Sequence, residues 1–551
     1  MSARKGMQRA WWLAILCSAS VWALAAYAAP TETPDLNPPQ RQAINDGVQL
    51  EQSHRWLNAI EHYEKSLKDW PASRELEYGL RRSKIHFAIE RRYGDATFHR
   101  QLLSLSREQS LALFDEVVST IQGRYVDSLS VSSFVAHGTE SLYLALGDEK
   151  FVKTNLPGAQ PDRIRQLRRT LRDTYWNYPI QQAGGARGTV LRICDLAQAE
   201  VGLSGSAAVM EYVFGGCNAL DDYSAYLTPG KLNDLYGNIE GQFVGLGIEM
   251  RAEAGQGLLL INVLSGSPAE EGGLLPGEHI VGIDSQDCRN MTTDEAASLL
   301  QGVEGSRVTL DIQGRPGTAS RRKPFSRRSV EVKSIPVARI VDPQRGIAYI
   351  QMTGFQKTTA TELDAALTRL HREGMRSLIW DVRGNPGGLL TAAVEVCDRF
   401  LAEGVMVSTR GRTNDQNFSY GAQRPGTWTM PLVLLTDGDS ASASEIVAGA
   451  IRDHRRGTLV GRRTYGKWSV QSIFPLTGKA GLRLTTAKFY SPNGENYSKV
   501  GVEPHVAVAA ASQPRNFYRS PGDIDPATDA DLQQGLEVLR KGGEDRSVSG
   551  R

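Results

Sequence analysis

From residue 338 onward the chain alternates short apolar runs with helical stretches, a rhythm that few folds accommodate. "GIAYIQM" is followed by a helix opened at Thr359-Ala-Thr-Glu362, then by "SLIWDV", "LLTAAVEVCDRFLAE", "LVLLTD" and "SEIVAGAIRDH". A run such as "LVLLT" has no polar face, so it predicts a strand covered on both sides, as strands of a parallel sheet are. The repeat therefore predicts an α/β core with a mainly parallel sheet over 338–511. Thr359 and Glu362 have the spacing of a capping box. Sites in such sheets gather where strands end and helices begin. "DSASASEIVAGAIRDHRRGTLVGRRTYGKWSV", residues 439–470, lies at such a junction.

The rest of the chain reads as multidomain α+β. Residues 1–28 place Arg4, Lys5 and Arg9 before an apolar run that ends in small residues at Ala26 and Ala28, the pattern of a secretory signal. The protein is thus expected in the periplasm or cell envelope. It would touch a membrane only if this segment stayed uncleaved as an anchor. A Pro-rich linker, 29–40, leads into a helical region, 41–105, in which Gly47, Ala59, Tyr63 and Pro71 are spaced like the small and aromatic positions of a tetratricopeptide helix pair. That region is a candidate docking site for a partner, and an ordinary helical hairpin is the alternative. Residues 106–236 stay helical, with Leu111, Phe114, Val118 and Ile121 on one face. Between 237 and 337 short β-rich runs separated by Gly- and Pro-bearing turns enclose one helix, "TTDEAASLLQGV", and predict a small β-domain. Residues 512–551 read as a C-terminal tail.

Composition narrows the function. Lys and Arg number 63 against 61 Asp and Glu, which argues against a protein whose whole surface is built to neutralise nucleic-acid phosphates. Outside the signal, Cys194, Cys217, Cys288 and Cys397 form no C-x-x-C pair, and H-E-x-x-H is absent, so neither a metal nor another cofactor is expected. A disulfide between Cys194 and Cys217 is one option in an exported protein.

"GRRTYGKW" admits two chemistries for Lys467. A phosphate-binding loop needs Ser or Thr after its lysine and a helix beyond it. Here Trp468 and the β-like "SVQSIFPL" follow, which excludes that reading. The alternative is a lysine held uncharged by burial, near Tyr465, Trp468 and Val470, that takes a proton from a serine hydroxyl. Ser440, Ser442 and Ser444 all enter the following helix, where backbone amides can stabilise an oxyanion. Spacing alone does not choose among them. Another Ser–Lys pair, Ser320-Arg-Arg-Lys323, has S-x-x-K spacing, but it lies among five arginines beside Pro324 and reads as a solvated basic loop able to steer acidic substrates.

"SASASEIVAGAIRDHRRGTLVG" followed by "TYGKWSVQ" resembles the core of the C-terminal processing, or tail-specific, serine peptidases. "DDYSAYLTP", "FVGLGIEM", "SPAEEGGLLPGEHIVGID", "WDVRGNPGGLL" and "GVEPH" extend the resemblance over roughly 107–510 in the family's order. The resemblance implies Ser442 as nucleophile, Lys467 as its base and Gln471 as the residue that orients the lysine. It also implies an oxyanion hole from the amides of Ala443 and Gly387, with Asp453 a structural support. Ser440 and Ser444 are then left as turn and helix cap. The family usually has glycine where Trp468 stands, so this indole is expected to narrow the cleft or change its geometry. The β-domain resembles a PDZ domain whose loop, Gly245-Leu246-Gly247-Ile248, would bind a substrate's terminal carboxylate. The implied activity is an exported endopeptidase acting on proteins with unstructured C-terminal tails through an acyl-enzyme. The alternative is a non-catalytic PDZ adaptor on a peptidase scaffold.

Overall fold

The computed structural model describes residues 37–180, 183–253, 255–291, 293–315, 317–424, 426–509 and 527–548. The signal read at 1–28 and most of the linker lie outside them. The chain divides into two units, Met1–Phe87 and Ala88–Arg551.

In the first unit α1 (Pro38–Gln52) and α2 (Trp56–Asp69) pair, and α3 (Arg74–Gly94) begins there and ends in the second. The Tyr63 ring lies over Gly47 and Gly79, where a methyl group would meet it at 2.3–2.4 Å. Its hydroxyl donates to the Glu51 carboxylate at 2.7 Å, which Arg82 also binds. Small residues thus let a large ring seat between helices.

The second unit begins with helices α4 (Arg107–Arg124), α5 (Val131–Ala145), α6 (Glu149–Asn155), α7 (Pro161–Thr170), α8 (Ala183–Val201) and α9 (Gly205–Gly216). The face expected on α4 is buried, from Leu111 to Ile121. Next come β1 (Ala225–Leu227) and α10 (Pro229–Glu240).

The β-domain contains β2 (Gln242–Gly245), β3 (Ile248–Glu253), β4 (Gly257–Val263), α11 (Pro268–Glu271), β5 (His279–Ile283), β6 (Gln286–Asp287), α12 (Thr293–Leu300), β7 (Arg307–Gln313), β8 (Arg321–Ser326) and β9 (Arg328–Glu331). Its main sheet runs β3-β4-β5-β7-β8, β6 adds to β5, and β2 pairs with β9 in a separate ribbon. The arginines of β8 and β9 do not form a free basic surface. Arg321 is paired with Glu278, Arg322 with Asp311 and Arg328 with Glu271.

The last part holds β10 (Val337–Asp342), β11 (Ile347–Gln351), α13 (Thr359–Arg372), β12 (Ser377–Asp381), α14 (Leu390–Cys397), β13 (Val405–Gly411), β14 (Phe418–Gly421), β15 (Leu432–Thr436), α15 (Ala443–Asp453), β16 (Thr458–Gly461), β17 (Ser469–Pro475), β18 (Gly481–Tyr490), β19 (Val506–Ala507) and α16 (Ala530–Val548). The expected sheet is present in the order β10-β11-β12-β15-β16-β19, and only its β10–β11 pair is antiparallel. Strands β11, β12 and β15 are buried at every position, the covering on both faces that their apolar sequence demands. A second sheet, β1-β18-β13-β14 with β17 on β18, is antiparallel throughout and was not expected. It joins β1, from the helical region, to strands more than 170 residues later, a pairing that no local pattern encodes.

Several local expectations give way to tertiary contacts. The capping box at Thr359 does not form: Thr359 is the first residue of α13, Thr358 before it makes no side-chain capping bond, and the Thr359 hydroxyl is buried against Ser334 Oγ and the Gln356 amide. Glu362 instead accepts from the Ile335 amide and the Thr358 hydroxyl. The helix expected over "LLTAAVEVCDRFLAE" stops at Cys397. The stretch read as a tail contains α16, whose Leu532 and Leu536 are buried against β11, β12, β15 and β16. All four described cysteines are free and buried, so Cys194 and Cys217 are not bridged. Among the described residues no helix is long and apolar enough to cross a membrane.

Candidate active site

Strand β15 ends at Thr436, and a tight turn delivers the chain into α15. Ser440 stabilises that turn, accepting from the Asp437 amide at 3.0 Å and donating to the Val382 carbonyl at 2.8 Å. Ser444 is not the cap: it lies inside the first turn of α15, and its hydroxyl donates to the Asn385 carbonyl at 2.9 Å. The cap is Ser442, which stands at φ 55° and ψ −112°. A non-glycine residue held there is strained, and such strain concentrates at functional turns. Of the three serines, Ser442 alone is both strained and at the start of a helix whose amino end favours negative charge.

Glu445, one turn on, organises the surroundings. Its side chain is fully buried and accepts four hydrogen bonds. Oε2 receives the Ser442 amide at 2.9 Å and the Lys467 amide at 2.8 Å. Oε1 receives the Thr464 hydroxyl at 2.6 Å and the Gly466 amide at 2.7 Å. One carboxylate therefore ties the backbones of Ser442 and Lys467 together. Burial pushes this carboxyl up and the four donors oppose that shift. Sequence reasoning missed Glu445, although an acid in the otherwise apolar "SEIVAGAI", three positions after Ser442, was a visible sign of a buried acceptor.

Lys467 is half-buried. Its Nζ lies 4.9 Å from the centroid of the Tyr223 ring, which sits in the loop before β1. Burial holds the amine below the ordinary lysine range, and the Arg483 guanidinium lowers it further, while Asp221 and Glu445 act in the opposite sense. Of the neighbours expected from sequence, Tyr465 lies beside Tyr223 and is 57% exposed, whereas Trp468 belongs to the core. Trp468 packs edge-on against Tyr497 at 4.9 Å and beneath α15, where its ring touches the space at Gly449, so it does not narrow the cleft. No hydrogen bond joins Lys467 Nζ to the Ser442 hydroxyl or to Gln471 among the described residues. Gln471 Nε2 donates instead to Ser469 Oγ at 2.9 Å and Thr485 Oγ1 at 3.2 Å. Asp453, at the end of α15, accepts from the Asn493 amide.

The "RGNPGG" turn after β12 lies against Ser442. Gly387 has φ +101°, and a methyl group on it would stand 2.7 Å from the Ala441 carbonyl oxygen and 2.8 Å from Ser442 Cβ. Only glycine fits this approach. Buried Asn385 binds the two turns together: its Oδ1 accepts from the Gly387 amide at 2.9 Å and its carbonyl from the Ala441 amide at 3.0 Å. No hydrogen bond to another described residue engages the N–H of Ala443, or that of Gly388 beside Gly387. Arg383, 5% exposed, anchors the turn by binding Asp381, Asp529 just before α16 and Asp531 in the first turn of α16.

In the β-domain, Gly245 lies within β2 opposite Arg328, and Leu246 is buried. Gly247 turns the chain at φ +78°, where a methyl group would come within 2.2 Å of Ser267. From Ile248 the chain runs along β3, an edge strand of its sheet. Such an edge can accept a further strand. Among the described residues no group of three or more His, Cys, Asp or Glu is placed to hold a metal.

Comparison with known proteins matches residues 346–508 to peptidase family S41 and residues 261–314 to the PDZ domain. A carboxy-terminal-processing protease of Bartonella bacilliformis is 36% identical over 299 residues, covering 53% of this chain and 67% of that one. A carboxyl-terminal-processing protease of Synechocystis is 33% identical over 327 residues, covering 58% and 74%. The solved structure of a photosystem II D1 C-terminal processing protease superposes with a TM-score of 0.38 at 25% identity, covering 72% of this chain and 93% of that one.

Proposed function

Because this chain belongs to the carboxyl-terminal processing proteases, serine peptidases of family S41 that carry a PDZ domain, we propose that it is an exported endopeptidase that captures C-terminal tails and cuts them with a Ser442–Lys467 dyad. The uncharged Lys467 amine takes the hydroxyl proton as Ser442 Oγ bonds to the scissile carbonyl carbon. The oxyanion that forms is received by the amides of Ala443 and Gly387, the latter after releasing Asn385 Oδ1. Collapse breaks the C–N bond, Lys467 returns its proton to the departing amine, and water hydrolyses the Ser442 ester. Lys467 reaches the hydroxyl by swinging from the Tyr223 ring, and Gln471 orients it there. Free enzymes commonly tighten such contacts only with substrate bound.

The observation that carries this reading is the Glu445 carboxylate, which accepts from the amides of both Ser442 and Lys467 and so brings the two residues to one place. Substrate tails bind at Gly245-Leu246-Gly247-Ile248, their terminal carboxylate on the loop amides and their backbone along β3. The division of labour follows the segments: a signal at 1–28, a linker at 29–40, a tetratricopeptide-like region at 41–105 that receives a partner, the helical part of the peptidase at 106–236, the PDZ domain at 237–337, and the core at 338–511. The fit of Tyr63 against Gly47 and Gly79 supports the third of these.

The test is cleavage of a tailed model protein by the full chain and by Ser442→Ala and Lys467→Ala, with labelling by a serine-directed acylating probe. Both variants are expected to be folded and inactive, and the label should be absent from Ser442→Ala. Cleavage by Ser442→Ala at the parent rate would discard the dyad, and neither cleavage nor labelling by the parent chain would leave the adaptor reading.

A further inference from the structure

Two cations meet at Tyr223. Arg483, on β18, donates from Nε to the Tyr223 carbonyl oxygen at 2.9 Å. Lys467, from the loop leading into β17, holds its Nζ over the ring of the same residue. Arg483 is half-buried and makes no salt bridge among the described residues. A guanidinium withdrawn from water without a carboxylate partner is unfavourable, and the fold retains this one beside the lysine.

The charges around Lys467 decide what that does. From the loop before β1 come Asp221 and the Tyr223 phenol, which burial holds neutral, pushed up to about 12. From α15 comes Glu445, already engaged by four donors. From its own loop comes the Tyr465 phenol, which lies beside Tyr223. Arg483 is the like charge in this set. Two cations in a partly dehydrated space repel, and the repulsion is relieved when one loses its proton. Arginine does not, so the lysine must. A neighbouring cation is one of the established ways to activate a lysine.

Resting on the reading of Lys467 as the base, we infer that Arg483 is a positioning residue whose fixed charge favours the neutral, proton-accepting form of the Lys467 amine. Asp221 limits the effect by attracting both cations.

The experiment compares the full chain with Arg483→Gln, which loses the charge but keeps a donor for the Tyr223 carbonyl, and Arg483→Lys, which keeps the charge. Cleavage of one tailed substrate is measured from pH 6 to 10. The acid limb of kcat/KM should move to higher pH in Arg483→Gln, with about tenfold lower activity at pH 7 for each unit of displacement and an unchanged plateau at high pH. Arg483→Lys should have a midpoint nearer the parent's. In parallel, the Cε carbon-13 shift of Lys467, assigned by its absence in Lys467→Ala, is titrated in Ser442→Ala proteins with and without Arg483→Gln. A displaced Lys467 titration with an undisplaced rate limb would mean that Arg483 acts as inferred but Lys467 is not the base. An undisplaced titration, or a lower plateau with the same midpoint, would overturn the inference.

Discussion

Replacing Glu445 by alanine removes the acceptor of four hydrogen bonds at once. The Thr464 hydroxyl can rotate toward another acceptor, but the amides of Ser442, Gly466 and Lys467 cannot. A buried donor left unpaired costs about 1 to 3 kcal/mol, so the three together set a range of about 3 to 9 kcal/mol. Water admitted to the emptied space would relieve part of this, and losses among neighbours are not additive. About 4 kcal/mol is therefore expected, enough to consume much of an ordinary domain's stability of about 5 to 15 kcal/mol. Glu445→Gln is informative because the amide can choose its orientation. With its NH2 toward Thr464, whose hydroxyl can accept, the oxygen still serves Ser442 and Lys467, and only the Gly466 amide is orphaned. The loss should then be about 1 to 3 kcal/mol, with much of the cleavage rate kept. Urea unfolding followed by tryptophan fluorescence measures the stability, and cleavage of a tailed substrate by the folded protein measures the alignment. An alanine variant within 1 kcal/mol of the parent, cleaving at an unchanged kcat, would refute the claim that this carboxylate joins the two backbones.

Trp468→Ala should destabilise by about 3 to 5 kcal/mol through the cavity it leaves beneath α15; unchanged stability in the same urea experiment, with faster cleavage, would mean that the indole occupies the cleft. Amidating a substrate's C-terminus removes a charge-assisted hydrogen bond of about 1.5 to 3 kcal/mol, so capture should weaken roughly 10- to 100-fold. Equal kcat/KM for the free acid and the amide would remove Gly247 and its neighbours from tail binding.

The chain announces its parallel sheet because burial on both faces demands continuous apolar runs, and each of those runs is local. "SLIWD" and "LVLLT" can be read as core strands without knowing what covers them, and the strand-to-helix junction at Ser442 follows from their ends. Residues brought together from afar are a different matter. Tyr223, Glu445, Lys467 and Arg483 come from a loop, a helix, a second loop and a strand, and no periodicity links them. Trp468 could be placed beside Lys467 in sequence but not in space: the lysine lies over Tyr223 and the indole enters the core. The same limit hid the second, antiparallel sheet, the contacts to Ser334 and Ile335 that engage Thr359 and Glu362 in place of a capping box, and the return of Asp529 and Asp531 to Arg383. Sequence alone established which segments must be buried and which chemistry the Ser and Lys motifs could carry. Tertiary structure decided which charges face the lysine and which carboxylate holds its backbone, since electrostatics depends on distance through space and not along the chain.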